Sequence, residues 1–206
     1  MRLGILVSGR GSNLEAVLDA VAGGRLPDVD PALVIANRHG IRALEVAARR
    51  GVRWRVLARA DFDGADARDA AVGQALEEAG CVLALLAGYD QLLRPPYFAA
   101  YSGRTINLHP SLLPRHGGRG MIGLAVHAAV LAAGDAETGV TIHDVTEQLD
   151  AGPPIVQVRV AVEAGESVAE LADRVLAIEQ RTVVEVLAQL SASMTAAPPA
   201  PIRARR

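Results

Sequence analysis

The sequence predicts an α/β protein: a Rossmann-like, mostly parallel twisted sheet with helices on both faces and an antiparallel strand pair at its C-terminal end. Three observations predict it. Aliphatic runs without polar alternation occupy residues 3–8 and 81–87, as strands buried on both faces of a parallel sheet require. Four strands alternate with three helices inside the first 90 residues, the pattern of right-handed βαβ winding. Regular alternation of apolar and polar residues comes late, in residues 138–144 and 155–162, which read as a hairpin-like antiparallel pair.

The first strand, 3–8, runs into Ser8-Gly9-Arg10-Gly11-Ser12-Asn13, and Leu14, Ala16, Val17, Leu18 and Val21 follow at helical spacing. Strand, glycine-rich turn and helix together present free backbone N–H groups and a positive helix end to an anion. A dinucleotide fingerprint fails here. Leu14 stands where its third glycine belongs, and the next strand, 32–36, ends in Asn37 instead of an acidic residue. A phosphate monoester on a small substrate suits the turn better, and a plain tight βα turn is the alternative. Helix 41–50 stops at Gly51, and strand 52–57 alternates weakly, which puts it nearer the sheet edge. Helix 66–78 ends at Gly80, a residue suited to the left-handed cap position. Strand 81–87 is central, and Gly88-Tyr89-Asp90-Gln91-Leu92-Leu93 leads from it to Arg94-Pro95-Pro96. Ligands of open parallel sheets bind beyond the carboxyl ends of the strands, so this loop forms one wall of the expected pocket.

The next strand carries Thr105-Ile106-Asn107-Leu108-His109, closed by Pro110 and Pro114. Asn107 and His109 are two apart, so both side chains leave the same face. Residues 115–123 are basic and glycine-rich (Arg115-His116-Gly117-Gly118-Arg119-Gly120-Met121) and read as a flexible loop over the site. Helix 124–133 is followed by the first alternating strand and by the polar loop Val145-Thr146-Glu147-Gln148-Leu149-Asp150-Ala151-Gly152-Pro153-Pro154. Ser167-Val168-Ala169-Glu170 is a capping box opening an amphipathic helix to about residue 190. Its stripe is Leu171, Val175, Ile178, Val183 and Leu187, and Glu179 beside the stripe is placed to look inward. Residues 1–190 are expected to form one domain, and the Ala- and Pro-rich 191–206 a disordered tail.

Composition narrows the function. At 206 residues the chain can bury a full core, and with half its residues apolar but 3% aromatic that core is aliphatic. A net charge of −2 argues against general attraction to nucleic acid or to acidic membranes. Lysine is absent, which excludes Schiff-base and P-loop lysine chemistry. The lone cysteine, Cys81, cannot form an internal disulfide and reads as a small buried hydrophobe. No signal peptide and no run of about 20 apolar residues is evident. The expectation is a reduced, cytoplasmic, soluble protein.

Asn107, His109 and Asp150 stand on strand ends and adjacent loops of one sheet. An imidazole moves protons near neutral pH, and a carboxylate within reach favours its cationic form and fixes its tautomer. An amide donates to an oxyanion as a carbonyl becomes tetrahedral. Together they suit acyl transfer without a covalent enzyme intermediate. A serine hydrolase fits less well, because no Gly-x-Ser-x-Gly elbow occurs. His109, His116, His127 and His143 lack a metal-ligand spacing, so no metal is expected.

Over residues 3–190 the chain resembles the folate-dependent phosphoribosylglycinamide formyltransferases. The resemblance rests on Ser8-Gly9-Arg10-Gly11-Ser12-Asn13-Leu14, Leu86-Ala87-Gly88-Tyr89, Asn107-Leu108-His109-Pro110-Ser111-Leu112-Leu113-Pro114 and Leu149-Asp150-Ala151-Gly152-Pro153. It implies transfer of the formyl group of 10-formyltetrahydrofolate, a cosubstrate, to the amine of glycinamide ribonucleotide. Asn107, His109 and Asp150 would be catalytic, with His109 the proton donor. The backbone around Gly11, Ser12 and Asn13 would hold the substrate phosphate, Leu14 would join them in binding the substrate, and Glu179 would contact its glycinamide end. Folate would lie against Asp90, Gln91, Leu92 and Leu93 and against Thr146, Glu147, Gln148, Leu149 and Asp150. Where that family carries Met-Arg this chain has Asp90-Gln91. An arginine near the folate aligns with Ala65, with Arg68 one turn on, and a late-helix histidine is Gln180. The implied protein is a monomer or homodimer without nucleic-acid or membrane partners. Formyltetrahydrofolate hydrolase is the nearest rival, although that family usually adds an N-terminal domain, and methionyl-tRNA formyltransferase usually adds a C-terminal one. An inactive nucleotide- or folate-binding module is the remaining alternative.

Overall fold

The uninterrupted aliphatic runs become the middle of a sheet covered on both faces. In the computed structural model, which describes residues 1–196, the strands are β1 (Arg2–Val7), β2 (Asp30–Ala36), β3 (Trp54–Val56), β4 (Leu83–Leu86), β5 (Arg104–His109), β6 (Glu137–Asp144) and β7 (Pro154–Ala161). They form one sheet in the order β3-β2-β1-β4-β5-β6-β7. β1 to β5 are parallel, β6 runs antiparallel to β5, and β7 antiparallel to β6. The helices are α1 (Ser12–Ala22), α2 (Arg42–Arg49), α3 (Ala65–Glu78), α4 (Pro95–Ala100), α5 (Leu124–Ala132) and α6 (Val168–Ala196). The expected fold class is borne out.

Alternate residues of each central strand enter different cores. Leu3, Ile5 and Val7 of β1 join Leu83, Leu85, Ile106 and Leu108 beneath α1 and α6. Leu6, Ala84 and Leu86 face the opposite way, against Val72 and Leu76 of α3 and Tyr97 of α4. Each fully buried aliphatic side chain contributes roughly 1.5–3 kcal/mol, so this double core leaves the loops at the strand ends free to serve a site. Asn107 and His109 share the second face. Their neighbours Ile106 and Leu108 anchor β5 in the first core.

Several local expectations change. The third strand lies at the sheet edge as expected but is only three residues long, 54–56 instead of 52–57. The stretch after Leu93 is not merely a loop. Pro95 and Pro96 occupy the first turn of α4, where a missing N–H costs nothing, and Tyr97 then donates to or accepts from Thr105 Oγ1 at 2.7 Å. The capping box forms: the Glu170 amide donates to Ser167 Oγ at 3.3 Å, and the Ser167 amide to Glu170 Oε2 at 2.8 Å. The final helix, however, runs past residue 190 to Ala196, with the Ser191 and Ser193 hydroxyls donating back to helical carbonyls. The tail predicted from residue 191 is therefore helical as far as Ala196, and its remainder, 197–206, lies outside the described residues.

Cys81 is buried, and burial pushes its thiol up to about 11. Among the described residues no helix is long and apolar enough to cross a membrane.

Candidate active site

Beyond the carboxyl ends of β1, β4 and β5 lies a cavity of about 840 Å³. Gly11, Ser12, Asn13 and Glu179 line one part of it; Asp90, Gln91, Leu92 and Leu93 line another. Thr146, Gln148, Leu149 and Asp150 contribute a third wall, with Asn107 and His109 between them. Leu14 and Glu147 do not line it. Leu14 is wholly buried in the core under α1, and Glu147 points to solvent.

The catalytic candidates meet at the end of β5. Asp150 Oδ1 is 3.5 Å from Asn107 Nδ2 and 3.9 Å from His109 Nδ1, while Asp150 Oδ2 accepts the Gly118 amide at 2.8 Å. Asp150 adopts φ 51, a left-handed conformation that Asp tolerates better than most residues. His109 Nε2 donates to the His116 carbonyl at 2.8 Å. A carbonyl only accepts, so Nε2 carries the hydrogen and Nδ1 is the nitrogen turned to Asp150.

His143 was not foreseen as a site residue. The antiparallel register sets it directly opposite Asn107. His143 Nδ1 donates to the Asp144 carbonyl at 2.8 Å, and Nε2 therefore accepts from Asn107 Nδ2 at 3.1 Å. Burial holds this imidazole below its ordinary range, in keeping with a neutral acceptor. His127 of α5 also lines the cavity; its Nδ1 is buried without a protein partner, and burial lowers its basicity too.

At the other end, α1 opens into the cavity through Gly11, whose φ of 77 and close packing on Ala43 leave no room for a side chain. The first N–H groups of a helix lack intrahelical partners and face an anion with a positive dipole end. Glu179 is buried beside this turn, accepting from Asn13 Nδ2 at 3.4 Å. Burial pushes the Glu179 carboxyl up to about 7, against the opposing hydrogen bond from Asn13. Asn13 Oδ1 remains buried with no partner. Gln180 joins α6 to the same turn by donating to the Ser12 carbonyl at 3.4 Å.

The positions that depart from the family string are engaged with the protein itself. Asp90 accepts from Asn37 Nδ2 at 2.6 Å, from Gln91 Nε2 at 3.1 Å and from the Arg38 guanidinium. Its own amide donates to Ser8 Oγ at 2.9 Å. Burial alone would raise the Asp90 carboxyl, but these hydrogen bonds outweigh it and hold it below the usual carboxylate range. Arg68, one turn on from Ala65, lines the same cavity. It is buried, paired with Asp69, and donates to Gln91 Oε1 at 2.8 Å. The basic stretch read as a loop without side-chain anchors is in fact tied down at its start, because Arg115 and His116 both bind the Asp135 carboxylate. Among the described residues no three His, Cys, Asp or Glu side chains group as a metal site would need.

The family described as formyl transferase matches residues 1–187. The chain belongs to the formyl transferase family. Within that family it is 35% identical over 175 residues to the phosphoribosylglycinamide formyltransferase of Escherichia coli (strain K12), covering 85% of this chain and 80% of that protein. It is 36% identical over 195 residues to the trifunctional purine biosynthetic protein adenosine-3 of Gallus gallus, covering 94% of this chain but only 18% of that protein. The chain thus spans less than a fifth of that longer relative. The crystal structure of glycinamide ribonucleotide transformylase 1 from Symbiobacterium toebii superposes with a TM-score of 0.87 at 38% identity, covering 94% of this chain and 88% of that one. This formyl transferase therefore shares its fold with that structure over nearly its whole length.

Proposed function

We propose that this formyl transferase moves the formyl group of 10-formyltetrahydrofolate to the amine of 5-phosphoribosylglycinamide, a step of purine synthesis. The observation that carries the reading is the meeting of Asn107, His109 and Asp150 in the same cavity as the α1 turn and the buried Glu179. The turn supplies N–H groups and dipole for a phosphate. Glu179, with the unpartnered Asn13 Oδ1 beside it, accepts from an amine. Leu92 and Leu149, both exposed on the cavity wall, suit the flat apolar body of a folate.

In this reading the substrate amine attacks the formyl carbon, and the carbonyl electrons move onto oxygen. Asn107 donates to that oxygen, its long 3.5 Å contact to Asp150 being the one to give way. His109 presents a proton at Nδ1, with Asp150 stabilising the imidazolium. The C–N10 bond then breaks and the carbonyl re-forms, N10 leaving with the proton from His109 Nδ1, while the attacking nitrogen gives its extra proton to the freed Nδ1. The protein is expected to work in the cytoplasm, as a monomer or homodimer, with no partner beyond these two small molecules.

The test is formyl transfer from 10-formyltetrahydrofolate with and without the ribonucleotide, on wild type and His109→Ala. Turnover that requires the ribonucleotide and is lost in the variant supports the reading. Formate release without the ribonucleotide would make the protein a hydrolase.

A further inference from the structure

The groups that would do the chemistry are held by a short irregular segment. His109 Nε2 donates to the His116 carbonyl at 2.8 Å, and Asp150 Oδ2 accepts the Gly118 amide at 2.8 Å. Ser111 Oγ donates to the Arg115 carbonyl at 2.6 Å and reaches the His116 carbonyl at 3.5 Å. Residues 115–118 thus bracket the His109–Asp150 pair from behind. No helix or strand stiffens this segment, and His116 itself sits at φ 53, unfavourable for a residue with a Cβ.

What holds the bracket is Asp135, just past the end of α5. Its Oδ2 accepts from His116 Nε2 at 2.6 Å, its Oδ1 accepts from the Arg115 guanidinium, and its side chain is only 7% exposed. The hydrogen bond from His116 lowers the Asp135 carboxyl, which keeps it anionic at working pH. We propose that Asp135 is a positioning residue for this enzyme: through the His116 side chain it fixes the His116 carbonyl on His109 Nε2, and so reserves Nδ1 for the reacting proton. The opposite tautomer of His109 would turn a lone pair toward a carbonyl oxygen, so a firmly held carbonyl selects one tautomer. The consequence for turnover rests on the proton-carrying role given to His109 above; the tautomer itself does not.

The experiment is ¹⁵N NMR of the His109 imidazole, assigned by loss of its signals in His109→Gln, in wild type, Asp135→Ala and Asp135→Asn. Wild type is expected to show hydrogen on Nε2. Asp135→Ala is expected to show a mixed tautomer. Asn keeps an oxygen for His116 Nε2 and is expected to restore the wild-type signal. If Asp135→Ala does not fold, His116→Gly breaks the same link from the other side at a φ that glycine accepts, and the same mixed signal is expected. In kinetics, Asp135→Ala should lower kcat about tenfold with KM for both substrates nearly unchanged, and should add nothing in the His116→Gly background. A wild-type tautomer in Asp135→Ala, or losses that simply add, would overturn the proposal. If His109→Ala keeps full turnover while Asp135→Ala still mixes the tautomers, the bracket stands and the catalytic role of His109 falls.

Discussion

Asn107 and His143 face each other across the β5–β6 pair, with Asn107 Nδ2 3.1 Å from His143 Nε2. Because His143 spends its own hydrogen on the Asp144 carbonyl, the ring offers Asn107 a lone pair, which fixes the amide with its N–H groups toward the cavity. Removing that acceptor leaves a half-buried amide hydrogen unpaired, a cost of about 1 kcal/mol in the site. His143→Ala is therefore expected to lower kcat roughly tenfold with little change in KM. Steady-state kinetics at saturating folate measure this; a change confined to KM would show that His143 binds substrate instead.

Asp150 offers one oxygen to the Asn107–His109 pair and the other to the Gly118 amide. Asp150→Asn preserves the shape and removes the charge. Single-turnover formyl transfer should slow by roughly 10²-fold or more, the scale of a lost acid–base partner. Retained rate would mean that the charge does no work on His109.

Glu179 makes the unliganded protein lose stability as pH rises from acid to neutral. An unfolded glutamate ionises near 4.5 and the folded one near 7, so the folded state holds the extra proton between those values. Stability falls as pH rises from about 4.5 to about 7 and is then level, with a total loss of about 3 kcal/mol. Glu179→Gln removes this term. Its melting temperature should match wild type near pH 4 and exceed it at pH 8, while KM for the ribonucleotide rises. Parallel melting profiles across pH would contradict the burial of an ionisable group there.

Asp90 ties the loop after β2 to the loop after β4 through Asn37 and Arg38. Asp90→Ala strands the buried Asn37 amide and should cost about 1–3 kcal/mol in urea unfolding at pH 7. Because the folded carboxyl is held low, its contribution is present above the ordinary carboxylate range and is lost as pH falls through its depressed value. The gap between variant and wild type should therefore narrow in strong acid. Asp90→Met should also tighten binding of a folate analogue if this position touches folate, and titration of the analogue decides that.

Local patterns were the legible part of this chain. The strand bearing Asn107 and His109, the glycine-rich turn into α1 and the capping box each depend on neighbours in sequence, and each stands where it was expected. His143 escaped because its role needs the β5–β6 register, a long-range fact that alternation alone does not supply. The burial of Arg68 with the adjacent Asp69 was not legible either, because two charged residues on one helix gave no sign of being buried together. Asp135 lies 20 residues from Arg115 and 19 from His116, and only the fold brings its carboxylate under the basic segment. α4 was hidden by its two prolines, which break a helix interior but suit a helix start.

The burial of Cys81 has a practical consequence. A thiol with almost no exposure and a pKa near 11 is inert to maleimides and other thiol-selective reagents at neutral pH. With no lysine in the chain, amine reagents find only the N-terminus. A cysteine introduced at Ile122, exposed on the glycine-rich rim of the cavity, would be the one reactive thiol among the described residues. A fluorophore or spin label attached there would report on that rim during substrate binding, with the wild-type sequence otherwise untouched.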